Sequence, residues 1–376
     1  MSESTVGAHE STASATSVRY PIRVLTIGPA PTSPNSRGGM ATVAEHMVGD
    51  PDTRFRIRAV PTYMDGSSVV RLSIGVWGMV KASVLVLCGR VDVLHAHVSL
   101  RGSIVRKAVP LFVARLRGVA TIVHCHGANF FEWMDALPAP ARRAVRAALR
   151  ADYCLVLGQS QVDECRRSLD LDDSNMRVLY NPVVVPLNPP VRHGRGELRA
   201  VSLGRLGARK GTYDLIRAAG LLPEDVRAGL PITLAGDGEV EQAREFVHRN
   251  GLDDAIDIVG WVGPEERDRL LAESAIMVLP SYHEGLPMAI LEAMAHGVVP
   301  VTTPVGAIPE VITDGVDGLL VAPGDAEQLA AALRSLVVDD ELRNRLSAAA
   351  RARMSAFDIT QWREALHELW IAAARR

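Results

Sequence analysis

The chain has 376 residues, 48% of them hydrophobic, and balances 41 Lys and Arg against 43 Asp and Glu for a net charge of -2. That length suits two domains of roughly 150–200 residues each, and the even charge gives no sign of a nucleic-acid binder. Cys88, Cys125, Cys154 and Cys165 show no CxxC spacing, which speaks against a zinc site or a disulfide framework and fits the reduced thiols of a cytoplasmic protein.

Residues 1–19 are small and polar, lack the apolar run of a secretory signal, and are expected to form a disordered tail. IRVLTIG (22–28) then reads as a strand. It feeds PAPTSPNSRGGMATVAEHM (29–47), in which Gly38 and Gly39 open a helix. Glycines at that place let backbone amides approach a ligand, although a plain turn would use them too. The GxGxxG fingerprint of dinucleotide sites is absent. LSIGVWGMVKASVLVLC (72–88) is the most membrane-like stretch, but Lys81 interrupts it and it is short of the roughly 20 apolar residues of a span. A mostly buried helix is expected there, with a helix lying on a membrane surface as the alternative.

VDVLHAH (91–97), ATIVHCHG (120–127) and DYCLVLG (152–158) are further strands, and 138–150 is a helix. His95, His97 and His126 end two of these strands, where each is either a structural hydrogen-bonder or a ligand contact. Without nearby carboxylates they make a poor metal site. Asp170 and Asp172 stand in a loop without further ligands, so no metal is expected.

NPVVVPLNPPVRHGRGE (181–197) has the Pro and Gly content of a linker. Beyond it RAVSLGR (199–205), PITLAGDG (231–238), IDIVGWV (256–262), AIMVLPS (275–281) and GVVPVTT (297–303) repeat the pattern, and helices follow at 325–337, 339–355 and 358–375. Short apolar strands alternating with helices imply an α/β protein of two doubly wound, Rossmann-like domains facing across a cleft. The expected boundaries are a tail over 1–19, a first domain over 20–185, a linker over 186–197 and a second domain over 198–355. Residues 356–376 form a helix able to cross back to the first domain.

Two stretches of the second half could carry chemistry. In SLGRLGARKGTYDLI (202–216), Arg205 and Lys210 stand between a strand and a helix N-terminus, a setting suited to a diphosphate. In SYHEGLPMAILEAMAHGVVP (281–300), Glu284 precedes a short helix that starts at Pro287, and Glu292 sits within its apolar run. Burying that carboxylate costs several kcal/mol unless it is paired. Its partner is either a vicinal diol such as a ribose or an Arg or Lys of the protein itself.

These residues together resemble the retaining glycosyltransferases of family four, which have the B-type glycosyltransferase fold. The E-x7-E spacing of Glu284 and Glu292 is similar to the family signature, and GRLGARKG to its phosphate-binding segment. LAGDG (234–238), VGWV (259–262), TPVGAIPEVI (303–312) and DGVDGLLV (314–321) extend the likeness. In the first half, RGGMATVAEHM resembles the glycine-rich donor loop. HAHVSLRGSIVRK and HCHGANF resemble segments of exopolysaccharide and capsule-assembly members. The resemblance implies transfer of a sugar from a UDP- or GDP-linked donor to a hydroxyl acceptor such as a lipid-linked saccharide, with no cofactor. Arg205 and Lys210 would hold the diphosphate, helped by amides at Gly38 and Gly39. Glu292 would bind the ribose, and Trp261 and Val262 would flank the base. Glu284 with the amides of Gly285 and Leu286 would contact the sugar, and His126 would lie near the anomeric carbon. A cytoplasmic enzyme with peripheral contact to the inner face of a membrane is expected. A nucleotide-sugar epimerase and a non-catalytic nucleotide-sugar-binding scaffold remain as alternatives. Two departures stand out: NPVV (181–184) replaces the family's Asn-Gly-Val-Asp, and the charged residues that often follow the glycines are missing after Gly39.

Overall fold

The computed structural model describes residues 21–31, 33, 36–187 and 198–375. The expected tail over 1–19 and most of the expected linker, 188–197, lie outside them. The first sheet contains β1 (Ile22–Pro29), β2 (Phe55–Tyr63), β3 (Val93–Val98), β4 (Ala120–Cys125), β5 (Tyr153–Val156) and β6 (Met176–Val178) in the order β2-β1-β3-β4-β5-β6. The second contains β7 (Ala200–Leu203), β8 (Ile232–Ala235), β9 (Ile256–Gly260), β10 (Ile276–Leu279), β11 (Val299–Thr302) and β12 (Leu319–Leu320) in the order β12-β11-β10-β7-β8-β9. Pairing in both is parallel. The fold is therefore the pair of Rossmann-like domains expected from the sequence. β3, β4, β5, β7, β10 and β11 are buried along their whole length, as strands covered by helices on both faces must be.

In each sheet the strand order reverses beside the first strand, between β1 and β3 and between β7 and β10. Open α/β sheets leave their ligand crevice at that point, beyond the carboxyl ends of the strands. The loops after β1, β7 and β10 carry Gly38 and Gly39, Arg205 and Lys210, and Glu284, while His95 and His97 lie in β3 and His126 follows the neighbouring β4.

The helix Ile359–Ala374 packs Trp362, Leu366, Trp370 and Ala373 against Ile22, Val24, Val93 and Ile122 of the first sheet. Two crossings join the domains side by side. Val183 donates to the Phe357 carbonyl at 2.9 Å, and Ile359 donates to the Val183 carbonyl at 2.9 Å.

The expectation of a mostly buried helix at 72–88 is overturned. Helix α1 (Gly39–Val48) precedes it, and helix α3 (Gly102–Leu116) follows. Between them α2 (Ser68–Leu87) buries only Gly75, Gly78, Ala82 and Val86. Its packed side is made of small residues that bring the backbone close to the domain, which leaves the large apolar residues outside. Among the described residues it is the one helix long and apolar enough to cross a membrane by length and composition.

Candidate functional site

The phosphate-loop candidate is a tight turn set by glycine. After β7, Gly204 and Gly207 have φ of +138° and +149°, a single 3-10 turn covers Ala208–Lys210, and Gly211 enters the left-handed region at φ +70°. The helix Thr212–Leu221 begins there, and the Gly207 amide donates to Thr212 Oγ1 at 2.9 Å. The turn after β10 presses on this loop. A Cβ at Gly211 would lie 2.0 Å from the Pro280 carbonyl oxygen. The Tyr282 amide donates to the Arg209 carbonyl at 2.9 Å, and Arg209 Nη1 donates to the His283 carbonyl at 2.8 Å.

This clamping brings Lys210 to Glu284. Lys210 Nζ lies 2.5 Å from Glu284 Oε1, which also accepts from Ser281 Oγ at 2.7 Å, and Glu284 is 8% exposed. Arg205, in the same loop, is exposed beside Gly238, and its guanidinium has no acidic partner among the described residues.

Glu292 has a partner in the protein. Arg267 Nη1 donates to its Oε1 at 2.7 Å, and Arg267 also meets Asp268 at 2.7 Å. Burial raises the Glu292 carboxyl above its ordinary value, against the pull of Arg267. The ion-pair reading weighed in the sequence is thus realised in the structure. Glu292 makes no other side-chain hydrogen bond to a described residue.

The first domain contributes from the opposite side. Gly39, at the start of α1, faces the helix Met288–Ala295: a Cβ on it would lie 2.7 Å from Met288 Cγ. Gly285 lies beside Leu157, with its notional Cβ 3.6 Å from the His126 carbonyl oxygen. His126 therefore stands next to the Glu284–Gly285 turn. Trp261 is 42% exposed beyond β9, and Arg37 stacks over its ring at 5.1 Å while reaching Asp237 at 3.6 Å. Val262 is partly buried next to it. The structure thus groups Lys210, Glu284, Gly285 and His126, with Leu286 buried just behind. Arg205 shares the β7 loop with Lys210, Gly39 meets Met288 from the first domain with Gly38 just before it, and Trp261 and Val262 stand at the β9 end. Glu292 lies farther along its helix with Arg267.

Behind His126 is a stack of imidazoles at the carboxyl ends of β3 and β4. His97 Nδ1 lies 2.9 Å from His126 Nε2, and His97 Nε2 lies 3.1 Å from Thr26 Oγ1. His95 Nε2 is 3.3 Å from His124 Nδ1, and Trp370 Nε1 donates to His95 Nδ1 at 3.3 Å. Burial holds His95 and His126 down to about 3, and His97 and His124 well below the ordinary imidazole value. All four are neutral at neutral pH. His95, His97 and His124 have ring nitrogens within 4.8 Å of one another, yet most of those nitrogens are engaged with each other, Thr26 or Trp370.

Several residues were not singled out from the stretches that contain them in the sequence. Lys107 is 1% exposed on α3, donates to Ser103 Oγ at 2.9 Å, and is pushed down to about 7 by burial and by Arg106. In IVRKAVPLF it reads as any surface lysine. Glu310 crosses the domain boundary, accepting from the amides of Gln159 at 2.6 Å and Ser160 at 2.8 Å and from Tyr180 Oη at 2.8 Å. Burial would raise its carboxyl, but those hydrogen bonds outweigh it and hold it low. Asn181, in the divergent NPVV, donates from Nδ2 to the Leu286 carbonyl at 2.7 Å and so ties the end of the first domain to the Glu284 turn.

Comparison with known proteins gives a consistent picture. Residues 189–353 match the family model described as glycosyl transferases group 1. A glycogen synthase of Mycobacterium tuberculosis is 30% identical over 297 residues, covering 76% of this chain and 70% of that protein. The alpha-D-kanosaminyltransferase of Streptomyces kanamyceticus is 29% identical over 273 residues, covering 68% and 70%. Among solved structures, Anabaena HepE in complex with UDP-glucose superposes with a TM-score of 0.75 at 18% identity, over 93% of this chain and 99% of that one. Sucrose-phosphate synthase from Thermosynechococcus elongatus gives 0.73 at 17% identity, over 93% and 100%.

Proposed function

Because the chain belongs to the group 1 glycosyl transferases, we propose that it moves a sugar from a nucleoside diphosphate donor to a hydroxyl with retention at the anomeric carbon and without a metal. The observation that carries this reading is the contact of Lys210 with Glu284 at the reversal point of the second sheet, beside Gly285 and His126. Arg205 and Lys210 supply two positive charges at a helix N-terminus, where a departing diphosphate gathers negative charge. Stabilising that charge is the main catalytic contribution expected of the protein. The likeness to a structure that contains UDP-glucose supports a nucleotide-sugar donor.

Glu284 is held by Lys210 and Ser281. It therefore acts as a fixed acceptor for sugar hydroxyls, not as a free nucleophile. Departure of the diphosphate with attack of the acceptor on the same face accounts for retention without a glycosyl-enzyme intermediate. His126 stays neutral under burial and offers a hydrogen bond near the sugar without adding charge that would repel the developing cation. Glu292 keeps one carboxylate oxygen for the ribose beside its bond to Arg267. Polysaccharide or glycoconjugate assembly, with a lipid-linked saccharide as acceptor, is the setting we assign.

The test is transfer from UDP- and GDP-sugars by the wild type and Lys210→Ala, with products identified by NMR. A new glycosidic bond in the wild type and a fall of at least ~100-fold in kcat/KM in the variant are expected, for a charge worth a few kcal/mol. An epimerised nucleotide sugar as the sole product, or unchanged turnover in Lys210→Ala, overturns the proposal.

A further inference from the structure

The outer face of the first domain is apolar where a surface in water is normally polar. On α2, Val69, Leu72, Val76, Val80, Val84 and Leu87 recur at three- to four-residue intervals and are each 47–73% exposed, and Trp77 is 51% exposed beside them. On neighbouring α3, Val105, Val109, Phe112 and Leu116 are 50–70% exposed. Helices on water-soluble domains turn their large apolar side chains inward, whereas α2 turns Gly75, Gly78 and Ala82 inward. It is nevertheless seated on the domain and not free to span a bilayer. A Cβ at Gly78 would lie 2.2 Å from the Pro61 carbonyl oxygen of β2.

The charge around this face has one sign. Residues 66–118 contain a single acid, Asp92, which is paired with Arg23. Arg71, Lys81, Arg101 and Arg117 are exposed around the stripe, and Lys81 Nζ lies 4.3 Å from the centre of the Trp77 ring. At the C-terminal end of α2 a pocket of about 230 Å³ is lined by Arg23, Arg56, Arg58 and Arg90. Of these four, only Arg23 has an acidic partner among the described residues. A second copy of the chain docked here across a two-fold axis would set these cations against one another.

We propose that the α2–α3 face docks on an anionic lipid bilayer. The apolar stripe enters the boundary between headgroups and acyl chains, and the surrounding cations meet the surface charge. The pocket of Arg56, Arg58 and Arg90 takes a lipid phosphate. Because α2 and α3 follow the carboxyl ends of β2 and β3, both start on the cleft side of the sheet and bring the bilayer alongside the cleft. The docking stands independently of the transfer chemistry proposed above.

The experiment is flotation of the full chain with vesicles of phosphatidylcholine alone and with added phosphatidylglycerol, at low and high salt. Binding to the anionic vesicles at least ~10-fold above the neutral ones, weakened by salt, is expected. Leu72→Glu/Val80→Glu should lower it at least ~10-fold with an unchanged Tm, since both side chains already face water. Brominated lipid should quench wild-type tryptophan fluorescence, and Trp77→Phe should remove that quenching, which keeps a readout if the double variant misfolds. Failure of the wild type to float with anionic vesicles, equal flotation by Leu72→Glu/Val80→Glu, or absence of quenching overturns the proposal. So does sedimentation showing a dimer that Leu72→Glu/Val80→Glu turns into a monomer while vesicles capture neither form.

Discussion

At Glu292 the cost of burial is met by the protein itself through Arg267, and a substitution there has two separable consequences. Glu292→Gln keeps an acceptor for Arg267 but removes the opposing charge, and is expected to lower stability by ~1–3 kcal/mol in urea unfolding. Glu292→Gln/Arg267→Met should recover most of that loss. If Glu292 also binds ribose, the rise in Tm produced by nucleotide stays reduced in both variants, because repairing the pair does not restore the diol acceptor. Lys107 makes a second case. Its folded-state value of about 7 lies below the ~10.4 of an unfolded lysine, so between those values the unfolded chain holds the extra proton. Stability therefore rises with pH across that window, and the full burial penalty applies below pH 7. Lys107→Met should stabilise the protein near neutral pH, with an advantage that shrinks by up to ~1.4 kcal/mol per pH unit toward pH 9 in parallel urea titrations.

Among the elements, the turn after β7 is the most constrained. Gly211 combines a left-handed backbone with a carbonyl where a side chain would begin, so Gly211→Ala should cost at least ~2 kcal/mol in urea unfolding and lower kcat/KM by moving Lys210. The expected strands of the second domain appear in the structure in shorter form: RAVSLGR keeps Ala200–Leu203, since Gly204 already turns. Those runs were legible because strands buried on both faces are apolar throughout. FRIRAVPTY was not recognised because Arg56, Arg58 and Pro61 break its apolar content. They are the residues an edge strand tolerates, and the alternation of exposed Arg56 and Arg58 with less exposed neighbours was the available signal. The α2 segment misled for a related reason. Composition records how apolar a helix is, whereas burial depends on whether its small or its large residues meet the domain. The loops with Arg205, Lys210 and Glu284 could be read from local spacing. Arg267 and Lys107 could not, because their roles come from contacts made across the fold.

The molecule as a whole is two domains held by two adjacent crossings, by Glu310 against the Gln159–Ser160 amides, and by Asn181 against the Leu286 carbonyl. The helix Ile359–Ala374 follows the second domain in sequence but fills the core of the first. Trp370 is fully buried there and bonded to His95, so Trp370→Ala is expected to cost ~3–5 kcal/mol, read by urea unfolding with a probe in the first domain. This arrangement also sets an order of events during synthesis. Chains tend to fold domain by domain as they are made, but here the first domain to emerge keeps Ile22, Val24, Val93 and Ile122 uncovered until the entire second domain has been translated. For that interval the nascent chain presents an apolar face that its own late segment will cover, and a holding chaperone has a defined place and a defined time to act.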